Sequence, residues 1–172
     1  MRIDWRDLRL IPNLLTLIRL VLLPLPIVFI GQGKDAATLA LLAFAIITDV
    51  LDGILARRLN QVSELGKLLD PLADKLGMAA LVITLAVYRD FPWWAAAIII
   101  LRDLFLLIGG LSLLKRSDVI PTSNLFGKLT ALTWLLLVIS YLTPFEVAQR
   151  VLLVLATAMV PISLVLYLRK RT

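Results

Sequence analysis

The sequence predicts an all-α integral membrane protein: one domain of six transmembrane helices preceded by a short amphipathic surface helix. Three observations predict it. The chain is 60% hydrophobic, above the roughly half of ordinary soluble domains, and its mean hydropathy is +0.95. Its apolar runs approach the ~20 residues that a helix needs to cross hydrocarbon. The runs are separated by short stretches where Gly, Pro and charge collect.

The opening "MRIDWRDLRL" alternates Ile3, Leu8 and Leu10 with Arg2, Asp4, Arg6, Asp7 and Arg9. Residues 1–11 are therefore expected as a juxtamembrane helix lying on the membrane, with Trp5 at the interface. The mix of Arg and Asp there argues against a cleavable signal peptide. Pro12 suits a helix start. Spans are expected at 12–31, 36–58, 67–88, 92–114, 124–142 and 147–168, within a single domain covering 1–172. The breaks are Gly31 to Asp35, Arg57 to Gly66, Tyr88 to Pro92, Lys115 to Pro121, and Thr143-Pro144.

Basic residues orient the chain. An even number of spans puts both termini on one side. That side receives Arg2, Arg6, Arg9, Arg57, Arg58, Lys67, Lys115, Arg116, Arg169, Lys170 and Arg171; the other receives Lys34, Arg89 and Arg150. The termini and the loop after Arg57 are expected in the cytoplasm, and the chain in the cytoplasmic (inner) membrane. Arg19, Lys75, Arg102 and Lys128 fall inside spans.

The chain has no Cys and no His. Thiolate chemistry and Cys-ligated metals are excluded, and acid–base work falls to Asp, Glu, Lys, Arg or Tyr. A hard cation held by oxygen remains open. The net charge of +6 fits orientation and anionic lipid contacts rather than nucleic acid.

The stretch "DVLDGILARRLNQVSELGKLLDPLADK", from Asp49 to Lys75, places carboxylates in an otherwise apolar chain. At ~100° per residue, Asp52 lies ~60° to one side of Asp49, Gly53 ~40° to the other and Ala56 ~20° away. They form one stripe at the cytoplasmic end of the second span. Gly66, Asp70 and Asp74, four apart, form a stripe on the third. Two antiparallel helices joined by a short loop turn these stripes together. Unpaired carboxylates converging in a partly dry site cost several kcal/mol or more, and divalent cations remove that cost. The donor set favours Mg²⁺ or Mn²⁺, and two ions ~4 Å apart suit clamping a diphosphate. Gly53, Ala56 and Gly66 allow a ligand or backbone to come close, and Arg57 forks phosphate oxygens. Singly, each residue reads as a packing residue or a hydrogen bond within the membrane; together they read as a site.

Asp49, Asp52, Gly53, Ala56, Arg57, Gly66, Asp70 and Asp74 match every fixed position and spacing of D-x2-D-G-x2-A-R-x8-G-x3-D-x3-D. The stretch thus resembles the signature of the CDP-alcohol phosphatidyltransferase family, as does the six-span layout with its surface helix. The resemblance implies transfer of a phosphatidyl group from CDP-diacylglycerol to an alcohol, releasing CMP. It implies metal binding by Asp49, Asp52 and Asp70 together with Asp74, and proton removal by Asp74. It implies nucleotide and diphosphate contacts from Asp52, Gly53, Ala56, Arg57 and Gly66, and a homodimer.

The intramembrane cations bear on the acceptor. Arg19, Arg102 and Lys128 are costly where they stand and suggest an acceptor carrying negative charge. The bland readings are a salt bridge of Arg102 with Asp103, whose side chains start ~100° apart, and snorkelling of Lys128. Glycerol 3-phosphate is the expected acceptor. The segments are similar to those of the family's phosphatidylglycerophosphate synthases, which have an Arg in the fourth span and a Gly-Lys opening the fifth. They depart in having Arg102-Asp103 in place of Arg-Glu, and Leu129-Thr130-Ala131 where a Lys-Thr follows the Gly-Lys. The Arg-Asp pair and Pro121 resemble the family's cardiolipin synthases, which use phosphatidylglycerol. Inositol phosphate is a weaker third choice.

Two rival classes share some features. A lipid prenyltransferase also uses Mg²⁺ and Asp-rich helices, but needs more spans and other spacings. A divalent-cation transporter needs carboxylates near the midplane and an exit path; here they cluster at one end beside Arg57.

Overall fold

The computed structural model describes the backbone of residues 5–59, 61, 63–116 and 125–169, and within these leaves aside the side chains of 5, 57, 110–116, 125 and 167–169. All regular structure among the described residues is helical. A 3-10 helix, Trp5–Arg9, is followed by α1 (Ile11–Leu22), α2 (Pro24–Gly31), α3 (Asp35–Arg58), α4 (Gly66–Tyr88), α5 (Trp93–Arg116), α6 (Leu125–Ser140) and α7 (Glu146–Arg169). The chain forms two compact units, Met1–Leu81 and Val82–Thr172.

In the first unit, α3 packs against α1 and α2. Pro12 sits in the first turn of α1, as expected. The expected first span is present as Ile11–Gly31, with its helix interrupted at one residue. Pro24 has no N–H, and its ring crowds the carbonyl four residues back. Helical pairing therefore lapses at Leu23, whose N–H turns to the Leu20 carbonyl at 3.3 Å. α2 ends in a Schellman-type cap: Lys34 N–H reaches the Phe29 carbonyl at 2.9 Å, and Gly33 N–H reaches that of Ile30 at 3.1 Å. Gly33 supplies the positive φ (+73°) that this cap needs.

The residues before α1 differ from the expected surface helix. Their described part is a five-residue 3-10 turn, a form that seldom runs longer. It is held to α1 by the Asn13 side-chain amide, which donates to the Asp7 carbonyl at 2.7 Å. Residues 1–4 lie outside the described residues, as do Pro121 and the C-terminal Lys170 and Arg171.

In the second unit, α7 packs against α6 and α5. Its core includes Leu85, Phe91, Ile99, Trp134, Leu137 and Val138, with Ala95, Ala96 and Ala156 fully buried. Such small residues let helices approach closely in membranes, where burial from water does not drive packing. Asp90 makes the tight turn before α5 at φ 54°. The Phe91 ring meets the Tyr141 ring edge-on at 4.9 Å.

Many large apolar side chains face outward, among them Val21, Ile47, Val87, Leu101, Val147 and Val154. A soluble monomer rarely exposes so much; a hydrocarbon surround accounts for it. Among the described residues, Ile11–Gly31, Asp35–Ala56, Gly66–Tyr88 and Glu146–Leu166 are long and apolar enough to span a membrane, while Phe126–Ser140 is shorter.

Candidate active site

The site lies within the first unit and is assembled from α1, α3 and α4. Asp49 and Asp52 stand one turn apart near the end of α3, and Asp70 and Asp74 one turn apart near the start of α4. Described residues between them are bonded to the helix ends. Gln61 N–H bonds the Ala56 carbonyl at 2.9 Å. Ser63 caps α4, its Oγ accepting Gly66 N–H at 3.0 Å, which satisfies one of the donors a helix start leaves open. Glu64 pairs with Lys67 at 2.6 Å; the Lys67 ammonium holds the Glu64 carboxyl below its ordinary pKa.

α1 supplies the third wall. Asn13, Thr16 and Arg19 recur every three residues, on the face turned to the aspartates. Asn13, only 2% exposed, donates to Ser63 Oγ at 2.9 Å. Thr16, fully buried, donates to Asp70 Oδ1 at 2.6 Å. Arg19 reaches three carboxylates. Its Nη1 meets Asp49 Oδ1 at 2.5 Å and Asp74 Oδ1 at 3.5 Å, and its Nη2 bonds Asp52 Oδ2.

Three of the four expected carboxylates therefore meet, and they meet around a protein cation. Asp49, Asp52 and Asp74 share Arg19, while Asp70 is held by Thr16. Among the described residues no group of three acidic side chains stands ready to ligate a metal. The donor chemistry nonetheless suits a hard divalent ion. It is all oxygen, and the four carboxylates outnumber the one guanidinium that three of them meet. Asp49 and Asp74 are also accessible, their side chains 47% and 53% exposed, while that of Asp52 is 7% exposed.

The two glycines of the stretch have different reasons. A Cβ on Gly53 meets nothing within 4 Å, so the backbone there borders open space. A Cβ on Gly66 falls 2.6 Å from Asn13 Oδ1 and 3.2 Å from Ser63 Oγ. Gly66, expected at the nucleotide, also has a packing reason for lacking a Cβ. Ala56 is half-buried on α3, and the Arg57 side chain lies outside the described residues.

Of the three cations expected at an acceptor, Arg19 is engaged by the aspartates. The other two belong to the second unit. Arg102, 5% exposed, bonds Asp103 Oδ1 at 2.7 Å, so its long side chain overcomes the angle between neighbouring positions. Lys128 is exposed near the start of α6.

Asn13 and Thr16 are functional candidates that the acidic signature does not contain. Their signal was present in "PNLLTLIR", three polar residues at helical spacing on an apolar segment. Thr16→Val is expected to leave the Asp70 carboxylate without its donor, at a cost of ~1–3 kcal/mol. The check is a lowered Tm in detergent, recovered by Thr16→Ser.

The chain is thus an apolar helical protein of membrane type in which acidic side chains of α3 and α4 meet an arginine of α1. Residues 9–166 match the model of the CDP-alcohol phosphatidyltransferase family, and the chain belongs to that family. It is 46% identical over 128 residues to a probable cardiolipin synthase (CMP-forming) of Drosophila melanogaster, covering 74% of this chain and 39% of that protein. It is 38% identical over 124 residues to the CDP-diacylglycerol–glycerol-3-phosphate 3-phosphatidyltransferase of Aquifex aeolicus, covering 71% of this chain and 69% of that one. A cardiolipin synthase (CMP-forming) of Streptomyces coelicolor is 36% identical over 124 residues, covering 69% and 58%. The matches thus span between about two fifths and two thirds of these relatives' own lengths.

Proposed function

We propose that the protein transfers a phosphatidyl group from CDP-diacylglycerol to the hydroxyl of an anionic glycerol-type acceptor, releasing CMP. The observation that carries this reading is the signature, complete in the sequence at all eight positions, whose four aspartates are each bonded by a side chain of α1, with open space at Gly53. The domain is read as one catalytic unit of six spans with a surface segment, both termini and the site facing the cytoplasm of the inner membrane, and as a homodimer. A site at the cytoplasmic end of its helices meets a lipid substrate from the bilayer and a nucleotide from water.

Asp49, Asp52, Asp70 and Asp74 would hold Mg²⁺ or Mn²⁺, two ions on this reading. Such ions supply charge stabilisation to a departing phosphate. The chain's own groups do the rest. Gly53 and Ala56 let the nucleotide lie against α3. Arg57 forks its diphosphate oxygens. Asp74, half exposed, takes the acceptor proton as the acceptor oxygen attacks the phosphorus bearing the diacylglycerol, and the bond to CMP breaks. Asn13 and Ser63 hold α1, the loop and α4 in register.

Glycerol 3-phosphate is the proposed acceptor, bound with the help of Lys128 and Arg102. Arg19 meets an anionic acceptor only after leaving the carboxylates it bonds. The Arg102–Asp103 pair, whose guanidinium charge is already matched, favours a second reading with phosphatidylglycerol as acceptor and cardiolipin as product. The test is CMP release by purified protein with CDP-diacylglycerol, Mg²⁺ and one acceptor at a time. Release with glycerol 3-phosphate alone supports the first reading, release with phosphatidylglycerol alone the second, and metal-independent or absent release overturns both. Lys128→Ala is expected to raise the KM for the productive acceptor by about tenfold, as loss of a charge-assisted hydrogen bond implies, with the KM for CDP-diacylglycerol little changed. Equal rises in both argue against an acceptor pocket there.

A further inference from the structure

Arg19 stands in a helix otherwise almost wholly apolar, with its side chain only 10% exposed. Its Nη atoms are spent on Asp49, Asp52 and Asp74, while its buried Nε has no hydrogen-bond partner. A guanidinium without those carboxylates is costly at this depth, and the carboxylates without a cation repel one another. Each stabilises the other in the metal-free protein.

The same carboxylates are the ones that divalent ions would need. Each of the three turns one oxygen to Arg19, so a divalent ion brought to the same carboxylates stands a few ångströms from the guanidinium, and like charges at that range repel. We propose that Arg19 and the divalent ions are alternative counterions for Asp49, Asp52 and Asp74, so that loading the ions drives the guanidinium off the carboxylates. The inference rests on the reading that these aspartates hold the metal. Arg19 then keeps the metal-free site folded at the cost of metal affinity. Its release also frees the Nη donors to join Nε on a phosphate.

The test uses the full chain in detergent, stripped with chelator and titrated with Mn²⁺, free ion being read by EPR. The binding scored is the component that Asp52→Asn removes. Arg19→Gln is expected to bind Mn²⁺ about tenfold tighter than wild type, ~1.4 kcal/mol. Arg19→Lys falls between, because a point charge does not fork two carboxylates. Metal-free Arg19→Gln melts below wild type, and Mn²⁺ raises its Tm by more. Binding by wild type with equal or weaker binding by both variants overturns the inference and leaves the metal reading standing. No such component in any of the three overturns both. Should Arg19→Gln not fold without metal, Arg19→Lys against wild type decides by the same criterion.

Discussion

Asp74→Asn is expected to lower CMP release by ~10²–10⁴-fold, the range over which a positioned general base contributes, while CDP-diacylglycerol binding stays close to that of the wild type. The physical reason lies in what the substitution keeps. Asparagine has the shape of aspartate and retains one carbonyl oxygen as a ligand or acceptor, but it cannot accept a proton from an attacking hydroxyl. The fold is little affected, because Asp74 makes the longest of the three contacts with Arg19, 3.5 Å, and its side chain is half exposed. Single-turnover release measured beside equilibrium binding of the lipid nucleotide separates the two effects. Turnover within a few-fold of wild type would rule out Asp74 as the essential base; loss of binding in parallel would assign it to holding the substrate instead.

Gly53→Ala and Gly66→Ala form the second test, with opposite expected signatures. At Gly53 the added methyl meets no protein atom within 4 Å, and alanine is the better helix former by roughly 1 kcal/mol. The variant is expected to melt at or slightly above the wild-type temperature. If the nucleotide lies against this backbone, the methyl displaces it, and a shift of about 1 Å is enough to cost on the order of 10²-fold in rate. At Gly66 the methyl falls on Asn13 Oδ1 at 2.6 Å. Asn13 is short, buried and held by bonds to Ser63 and the Asp7 carbonyl, so it has little room to yield. Overpacking of this kind costs ~1–3 kcal/mol, read as a lowered Tm even without substrate. A stable, inactive Gly53→Ala beside a destabilised Gly66→Ala places the ligand at the first glycine and helix packing at the second. A destabilised Gly53→Ala with unchanged substrate binding would remove the nucleotide from that face.

Much of this was legible in the sequence because membrane helices are written locally. The hydrocarbon requires long apolar runs, and Gly, Pro and charge end them, so α3 to α7 begin and end within one or two residues of the expected spans. The interruption at Leu23 was also signalled, by Pro24 and Pro26, within a run that remains one span by length and polarity. The aspartate stripes were legible for a similar reason: spacings of three and four fix a helix face whatever the surroundings.

The partners of those stripes were another matter. Periodicity states which residues share a face, and not which face of another helix meets it. Arg19 was expected at an acceptor because a lone intramembrane cation calls for an anion; that the anions are Asp49, Asp52 and Asp74, thirty and more residues away, follows only from where α1 meets α3 and α4. Arg102 beside Asp103 looked misaligned at ~100°, until a long guanidinium side chain closed the angle. Gly66 carried a signature position, and only the Asn13 side chain lying against it shows a packing reason for its lack of a Cβ. The sequence by itself determined the helices, their apolar surroundings and the carboxylate stripes, because backbone pairing and residue spacing act over a few residues. The tertiary structure decided which charge neutralises which, because electrostatic pairing depends on distances between helices that no spacing along one helix contains.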